Sequence, residues 1–352
     1  MKNINDISHQ LEPTLQSVEK FRLDKLKEIS NAKKWYLIPV SMILISIFSF
    51  VLSISTSAIL FGIIGTIGFI LVFMFKISPL KNGYTQHFKR EVFTSFVHAL
   101  YPETYYAPNN YVTDGLFNMS KLFCSYNRFG GEDYFEGKTT NGCNFEFSEL
   151  NVTDTSTYTD SKGNSKTRTT TVFDGLFFVL DVPTKVRGYI QVLPDFAQSS
   201  FGFVGKFIQK SLGSMFHEGK MVYLEEFPEF EKEFVVYSQN EEEAFRILTP
   251  ELVQSIYDLR FKWNKKLRLS FVDNKIFLAL STYRDFFNPD IHQSVLNNTL
   301  FDELYNELAL CFLVVENLSV KQKSNFNANM TDEPEKNKLY DKNDNPDNPF
   351  LL

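Results

Sequence analysis

The sequence predicts an α+β protein. An N-terminal helix and a two-helix transmembrane hairpin lead into a cytosolic, mostly antiparallel β-sheet domain with a long C-terminal helix. Three observations predict this. Lys34 and Lys76 bracket 41 residues without one charge, 29 of them hydrophobic. Between Cys143 and Leu193 the apolar residues follow strand patterns, alternating around Phe145 and Phe147 and then running on from Val172 to Val182. Near the C-terminus Leu296, Leu300, Leu304, Leu308, Phe312 and Val315 recur at helical spacing.

Composition sets the outer bounds. The chain has 352 residues, 43% of them hydrophobic, with a mean hydropathy of −0.18. Those averages resemble a soluble chain because the polar remainder dilutes the uncharged run. Net charge is −6, and no basic cluster stands outside the flanks of that run, so nucleic acid is not an expected partner. The 37 phenylalanines are spread along the chain, as core residues would be. Cys124, Cys143 and Cys311 show no C-x-x-C spacing and are odd in number. They read as thiols in a reducing compartment; a Cys124–Cys143 meeting across a hairpin is the alternative.

Residues 1–34 form the first element. Ile4, Ile7, Leu11, Leu15 and Val18 recur every three or four residues, which predicts an amphipathic helix packed on the domain. Pro13 should interrupt its early part.

The uncharged run, residues 35–75, is the second. As one helix it would span about 60 Å, twice the hydrocarbon core. Two helices fit, about 35–53 and 58–75, turning at Ser53–Ser57. Gly62, Gly65 and Gly68 supply a small face on which the helices can pack, or through which copies can associate as a homo-oligomer. Residues 20–34 and 76–90 carry ten Lys and Arg, among them Lys33, Lys34, Lys76 and Lys81, and the turn carries none. The positive-inside rule then places both termini and the domain in the cytosol. The sequons at Asn118, Asn151, Asn297, Asn317 and Asn329 would be chance. The run holds no acid, base or histidine, which disfavours a pore or pump.

Residues 76–320 form the domain. Thr85–Leu100 is an amphipathic helix ending before Pro102. Cys143–Val152, Val172–Val182 and Gly188–Leu193 are strands, with Thr153–Thr171 an exposed hairpin tip. Phe203–Phe216 is a short helix. Met221–Leu224 and Phe234–Ser238 are strands flanking an acidic stretch. Thr249-Pro250-Glu251 starts a helix. Leu267–Phe271 and Lys275–Tyr283 form a hairpin across Asp273-Asn274. Asn288-Pro289-Asp290 opens the final helix. By analogy alone, strands followed by a closing helix suggest a pleckstrin-homology-like or tubby-like arrangement. Residues 321–352, rich in Asn, Asp, Lys and Pro, read as a disordered polar tail.

Chemistry is sparse. Gly202–Lys206 lacks the spacing and hydroxyl of a P-loop. No G-x-S-x-G elbow is present. The five histidines form no metal-ligand pair, and Asp341–Asp347 fails as a calcium loop because Pro346 stands where Gly is needed. No metal or cofactor is expected. Glu132, Asp133 and Glu149 are the candidate binding residues, since adjacent acids can pair if strands bring them together. No catalytic residue stands out.

Several segments together resemble a known family: Ser120–Phe123, Gly130-Gly131-Glu132-Asp133, Phe147–Leu150, Val172–Phe178, Phe230–Ser238 and Ala244–Pro250. This ensemble is similar to the bacterial membrane-anchored domain-of-unknown-function family 3137, over roughly residues 10–320. The resemblance implies bacterial origin and a layout of N-terminal helix, two membrane helices and α+β domain. It carries no activity and no catalytic residue.

The sequence therefore predicts a non-catalytic, membrane-anchored binding or scaffold module of the bacterial inner membrane. The lipid bilayer and a protein partner are its expected contacts. A membrane-proximal hydrolase or transferase using the acids of the β domain is one alternative; a structural subunit of a multi-protein membrane complex is the other.

Overall fold

A computed structural model describes residues 4–51, 57–123, 125–161, 163–195, 219–263, 266–283 and 285–331. Cys124, the expected helix Phe203–Phe216, His217, most of the expected turn Ser53–Ser57 and residues 332–352 lie outside them.

Two long helical runs open the chain. Helix α1 (Ile4–Lys33) passes through one 3₁₀ turn, Lys34–Tyr36, into α2 (Leu37–Val51). Helix α3 (Ser57–Val72) continues through a π turn, Phe73–Ile77, into α4 (Ser78–Phe88). A second π turn, Lys89–Phe93, leads to α5 (Thr94–Leu100). Gln10–Val51 and Ile59–Leu100 are thus unbroken helices of 42 residues each, long and apolar enough to cross a membrane. Pro13 does not interrupt α1. The lost hydrogen bond costs about 3 kcal/mol in an isolated helix, and burial of Ile7, Leu11, Leu15 and Val18 in the domain core offsets it.

The two runs behave differently along their length. Ile7 to Ala32 and Ile77 to Leu100 join the same core cluster. Between them the hairpin leaves its apolar side chains bare: Phe48, Phe50 and Phe75 are 66%, 72% and 71% exposed. The glycine face is used inside the hairpin. A Cβ on Gly65 would lie 2.8 Å from both the Pro39 carbonyl oxygen and Ile43 Cγ1, and one on Gly62 would lie 2.8 Å from Ser46 Oγ.

A seven-stranded sheet follows. Its elements are β1 (Tyr105–Ala107), α6 (Asp114–Met119), β2 (Arg128–Lys138), β3 (Asn144–Thr159), β4 (Ser165–Pro194) and β5 (Lys220–Val222). Then come α7 (Pro228–Glu233), β6 (Phe234–Ser238), α8 (Glu241–Ile247), α9 (Pro250–Trp263), β7 (Lys266–Ser281) and α10 (Asn298–Thr331). The strand order is β1-β2-β3-β4-β6-β5, with β7 on β4, and every pairing is antiparallel. The acidic stretch expected between two strands contains the short helix α7.

Strand β4 organises the sheet. Its first part pairs with β3 and β7, its second with β6 and β7. The two strands expected at Val172–Val182 and Gly188–Leu193 are parts of this one element. The expected hairpin across Asp273-Asn274 is likewise a bend within the single strand β7. Asp273 has φ 53° and pairs with Val186, where the register shifts. Asp and Asn tolerate the left-handed region in bulges as well as turns, so the sequence signal was ambiguous. Leu176 to Leu180 are all at most 2% exposed. Leu176, Phe178 and Leu180 face the large core that includes α1, α5 and α10, while Phe177 and Val179 face a second core with Phe117 of α6. Burial on both faces explains the continuous apolar run.

Helix α10 packs on β4 and buries Leu300, Leu304, Leu308, Phe312 and Val315. It begins at Asn298 rather than Pro289, and Leu296 is 51% exposed in the preceding loop. Its backbone is helical to Thr331, past the boundary at 320. Lys321–Thr331 contains neither Gly nor Pro, so nothing local stops the helix.

Beyond the sheet body, β3 and β4 continue as a two-stranded ribbon, from Thr153↔Thr171 to Thr159↔Ser165. This is the exposed hairpin expected at Thr153–Thr171. Thr155 and Thr169 Oγ1 atoms lie 3.1 Å apart. The Asn127 side chain accepts from Thr155 N at 2.9 Å and donates to Thr155 O at 2.6 Å.

Candidate functional site

Strands β2 and β3 bring the three candidate acids together. Glu132 pairs with Glu149 across the ladder, and the next pair is Phe135↔Phe147. Asp133 and Tyr134 thus oppose Ser148 alone, a bulge. Asp133 takes φ 58° there. Neighbours on a regular strand point to opposite faces; the bulge lets Glu132 and Asp133 turn toward the same partner. Gly131 permits the strands' close approach, since a Cβ there would lie 2.3 Å from the Glu149 carbonyl oxygen.

The shared partner is Lys89. It sits in the π turn of the second long helix, at i relative to the buried Val92, Phe93 and Phe96 at i+3, i+4 and i+7, so its stem enters the core. Its Nζ donates to Asp133 Oδ2 at 2.6 Å and to Glu132 Oε2 at 3.0 Å. Tyr106 OH donates to the other Asp133 oxygen at 2.5 Å. Lys89 and Asp133 are fully buried; the Glu132 side chain is 36% exposed. Glu149 is buried and accepts from Phe286 N at 2.9 Å through Oε2. One oxygen from each of Glu132, Asp133 and Glu149 lies within 4.8 Å of the others.

Burial dominates the electrostatics. It pushes the Glu149 carboxyl up to about 8, against the Phe286 N–H and with help from the charges of Asp133, Asp285 and Glu132. Glu149 therefore holds a proton at neutral pH. Burial also raises Asp133, to about 6, against the pull of Lys89 and Tyr106; it stays ionised at neutral pH. Tyr106 is pushed far upward by its burial and by Asp133.

Glu132 and Glu149 open into a cleft of about 740 Å³. Asp174, Asp285, Asn151 and Arg128 also line it, so four carboxyls face one guanidinium. Asp174 is raised by burial, with an Asn151 side-chain bond opposing. A neighbouring cleft of about 400 Å³ shares Asn109 and holds Tyr134 and Glu146, whose side chains bond at 3.0 Å. The three convergent acids offer the oxygens a divalent cation takes. As arranged, Lys89 occupies an oxygen of Glu132 and of Asp133, and the cluster is an ion-pair network.

Sequence reasoning singled out Glu132, Asp133 and Glu149, and the fold joins them. It missed Lys89, Tyr106, Asp174 and Asp285. For Lys89 a signal existed: a lysine inside an otherwise apolar helical stripe. Lys33, Lys34 and Lys76 are exposed at the hairpin base and Lys81 is half-buried; Lys76 Nζ lies 5.4 Å from the Trp35 ring centre. Arg22 and Lys89, counted with the flanking positive charges, are instead buried in the domain.

Residues 171–320 match the family model described as "Protein of unknown function (DUF3137)", which bears out, over that range, the family named from the sequence. The segments quoted between residues 120 and 150 precede the matched range. No curated protein matches the chain. Among solved structures, the crystal structure of the mycobacterial trehalose monomycolate transport factor A, TtfA, is similar at 7% identity. It covers 60% of this chain and 88% of that one, with a TM-score of 0.27.

Proposed function

We propose that this protein is a membrane-anchored binding module of the bacterial inner membrane. Its hairpin spans the bilayer, and both termini and the α+β domain lie in the cytosol. The cleft beside Glu132, Asp133 and Glu149 receives a protein partner that presents positive charge. One observation carries the anchor: each 42-residue helix is buried in the domain over one part and bare and apolar over the other. Such a surface needs lipid or a partner to cover it. The exposed Lys33, Lys34 and Lys76 at the hairpin base support the orientation. Beside the protonated Glu149, the carboxyls of Glu132, Asp174 and Asp285 against one guanidinium in the cleft support the charge of the occupant.

The test uses the full chain, extracted in mild detergent, for affinity capture from its own cells. A stoichiometric partner that is retained by wild type and lost by Asp285→Asn supports the reading. A partner held equally by both variants removes the cleft from it. Release of the chain from membranes by alkaline carbonate removes the anchor.

A second reading has one observation in its favour. A protonated Glu149 stands beside Glu132, a carboxyl held by an ammonium. Two acids in contrasting environments suit acid–base hydrolysis or group transfer. Hydrolysis of any member of an ester, phosphoester and glycoside panel, abolished by Glu149→Gln, would establish it.

A further inference from the structure

Glu132 has two neighbours of different kinds. Behind it lies the Lys89 ammonium, 3.0 Å away, on the helix that runs unbroken from Ile59 in the apolar hairpin to Leu100. In front lies the cleft. The charged and titratable groups around it are Lys89 from the helix, Asp133 on its own strand, Glu149 on β3, and Arg128, Asp174 and Asp285 around the opening. Lys89 is fully buried and bonds carboxylates of Glu132 and Asp133. A buried ammonium is costly unless its donors are taken by acceptors. Lys89 also sits in a π turn, Lys89–Phe93, where the regular helical ladder is already interrupted.

We propose that Glu132 is a shared contact through which occupancy of the cleft is communicated to the membrane helix. A positively charged group entering the cleft competes with Lys89 for this one carboxylate. Drawing Glu132 forward leaves Lys89 with Asp133 alone and loosens the helix at its π turn. By linkage, a helix shift that withdraws Lys89 frees Glu132 for the occupant. This rests on the reading of the cleft as the binding surface and adds its regulation.

Hydrogen exchange on the full chain in lipid nanodiscs tests it, with Glu132→Gln standing in for a carboxylate whose charge is taken up. Expected is a rise of about tenfold or more in exchange of the Lys89–Phe93 amides, the scale of one charge-assisted hydrogen bond. Strand amides Phe277–Leu280 should stay unchanged. Asp285→Asn, which removes a cleft charge not bonded to Lys89, should leave both segments unchanged. Unaltered exchange at Lys89–Phe93 in Glu132→Gln overturns the proposal. So does an equal rise in both segments, which is general destabilisation. Failure of the binding reading appears separately, as partner capture indifferent to Asp285→Asn.

Discussion

Lys89 Nζ lies 2.6 Å from Asp133 Oδ2, and neither side chain exposes any surface to solvent. The pair ties a helix that begins in the apolar hairpin to a bulge in the sheet. Removing only the ammonium leaves a buried carboxyl without its counter-ion. Lys89→Met is therefore expected to cost about 3–5 kcal/mol. Lys89→Met with Asp133→Asn, which keeps a residue that tolerates φ 58°, should recover much of that loss. Thermal unfolding of the detergent-solubilised chain compares the two; a double variant no better than the single one contradicts the assignment.

Glu149 makes stability depend on pH. Its folded-state value of about 8 lies above the ordinary 4.5, so folding favours the protonated form. That contribution is whole below about pH 4.5 and is lost as pH rises through 8. Asp133, raised from 3.8 to about 6, acts in the same sense over a lower window. Glu149→Gln is expected to flatten the fall between pH 5 and 8. At pH 9 it should be more stable than wild type, by on the order of a few kcal/mol. Melting temperatures across pH 5–9 decide this, and a less stable variant at pH 9 counts against it.

Two glycines should answer oppositely to the same change. Gly65 has no room for a Cβ against the Pro39 carbonyl, whereas Gly83 in α4 has nothing within 4 Å. Gly65→Ala should destabilise by about 1–3 kcal/mol. Gly83→Ala should stabilise by about 0.5–1 kcal/mol. Both are read from unfolding of the solubilised chain.

The proposed orientation rests on the basic flanks. With Thr159→Cys as reporter in a chain lacking its own cysteines, a membrane-impermeant thiol reagent should label only permeabilised cells. Charge reversal at Lys33, Lys34, Lys76 and Lys81 should yield a fraction labelled in intact cells. Labelling of intact wild-type cells would place the domain outside.

The parts legible in the sequence were those set by local pattern. The uncharged run, the Val172–Val182 strand and the α10 stripe each declare themselves within one continuous segment. What stayed hidden depends on distant partners. Asp273-Asn274 reads the same as a hairpin turn or as a bend, and only pairing of β7 with both parts of β4 distinguishes them. Leu296 fits the helical period yet lies in a loop before α10. Glu132, Asp133 and Glu149 were nameable as acids that could pair, but the bulge that joins them was not. Lys89, 43 and 44 residues from its partners, looked like one more flanking positive charge.

The Asn127 side chain bonds both backbone groups of Thr155, occupying places where a neighbouring strand would otherwise dock. The ribbon beyond β2 is rich in β-branched residues, and strands of that kind template other chains when their edges lie open. Asn127 closes one edge at its root, and Lys166 and Arg168 place charge along the other strand. Many copies confined to one surface meet far more often than copies in bulk solution. For a chain so confined, a single amide set where the next strand would begin would bar strand from adding to strand.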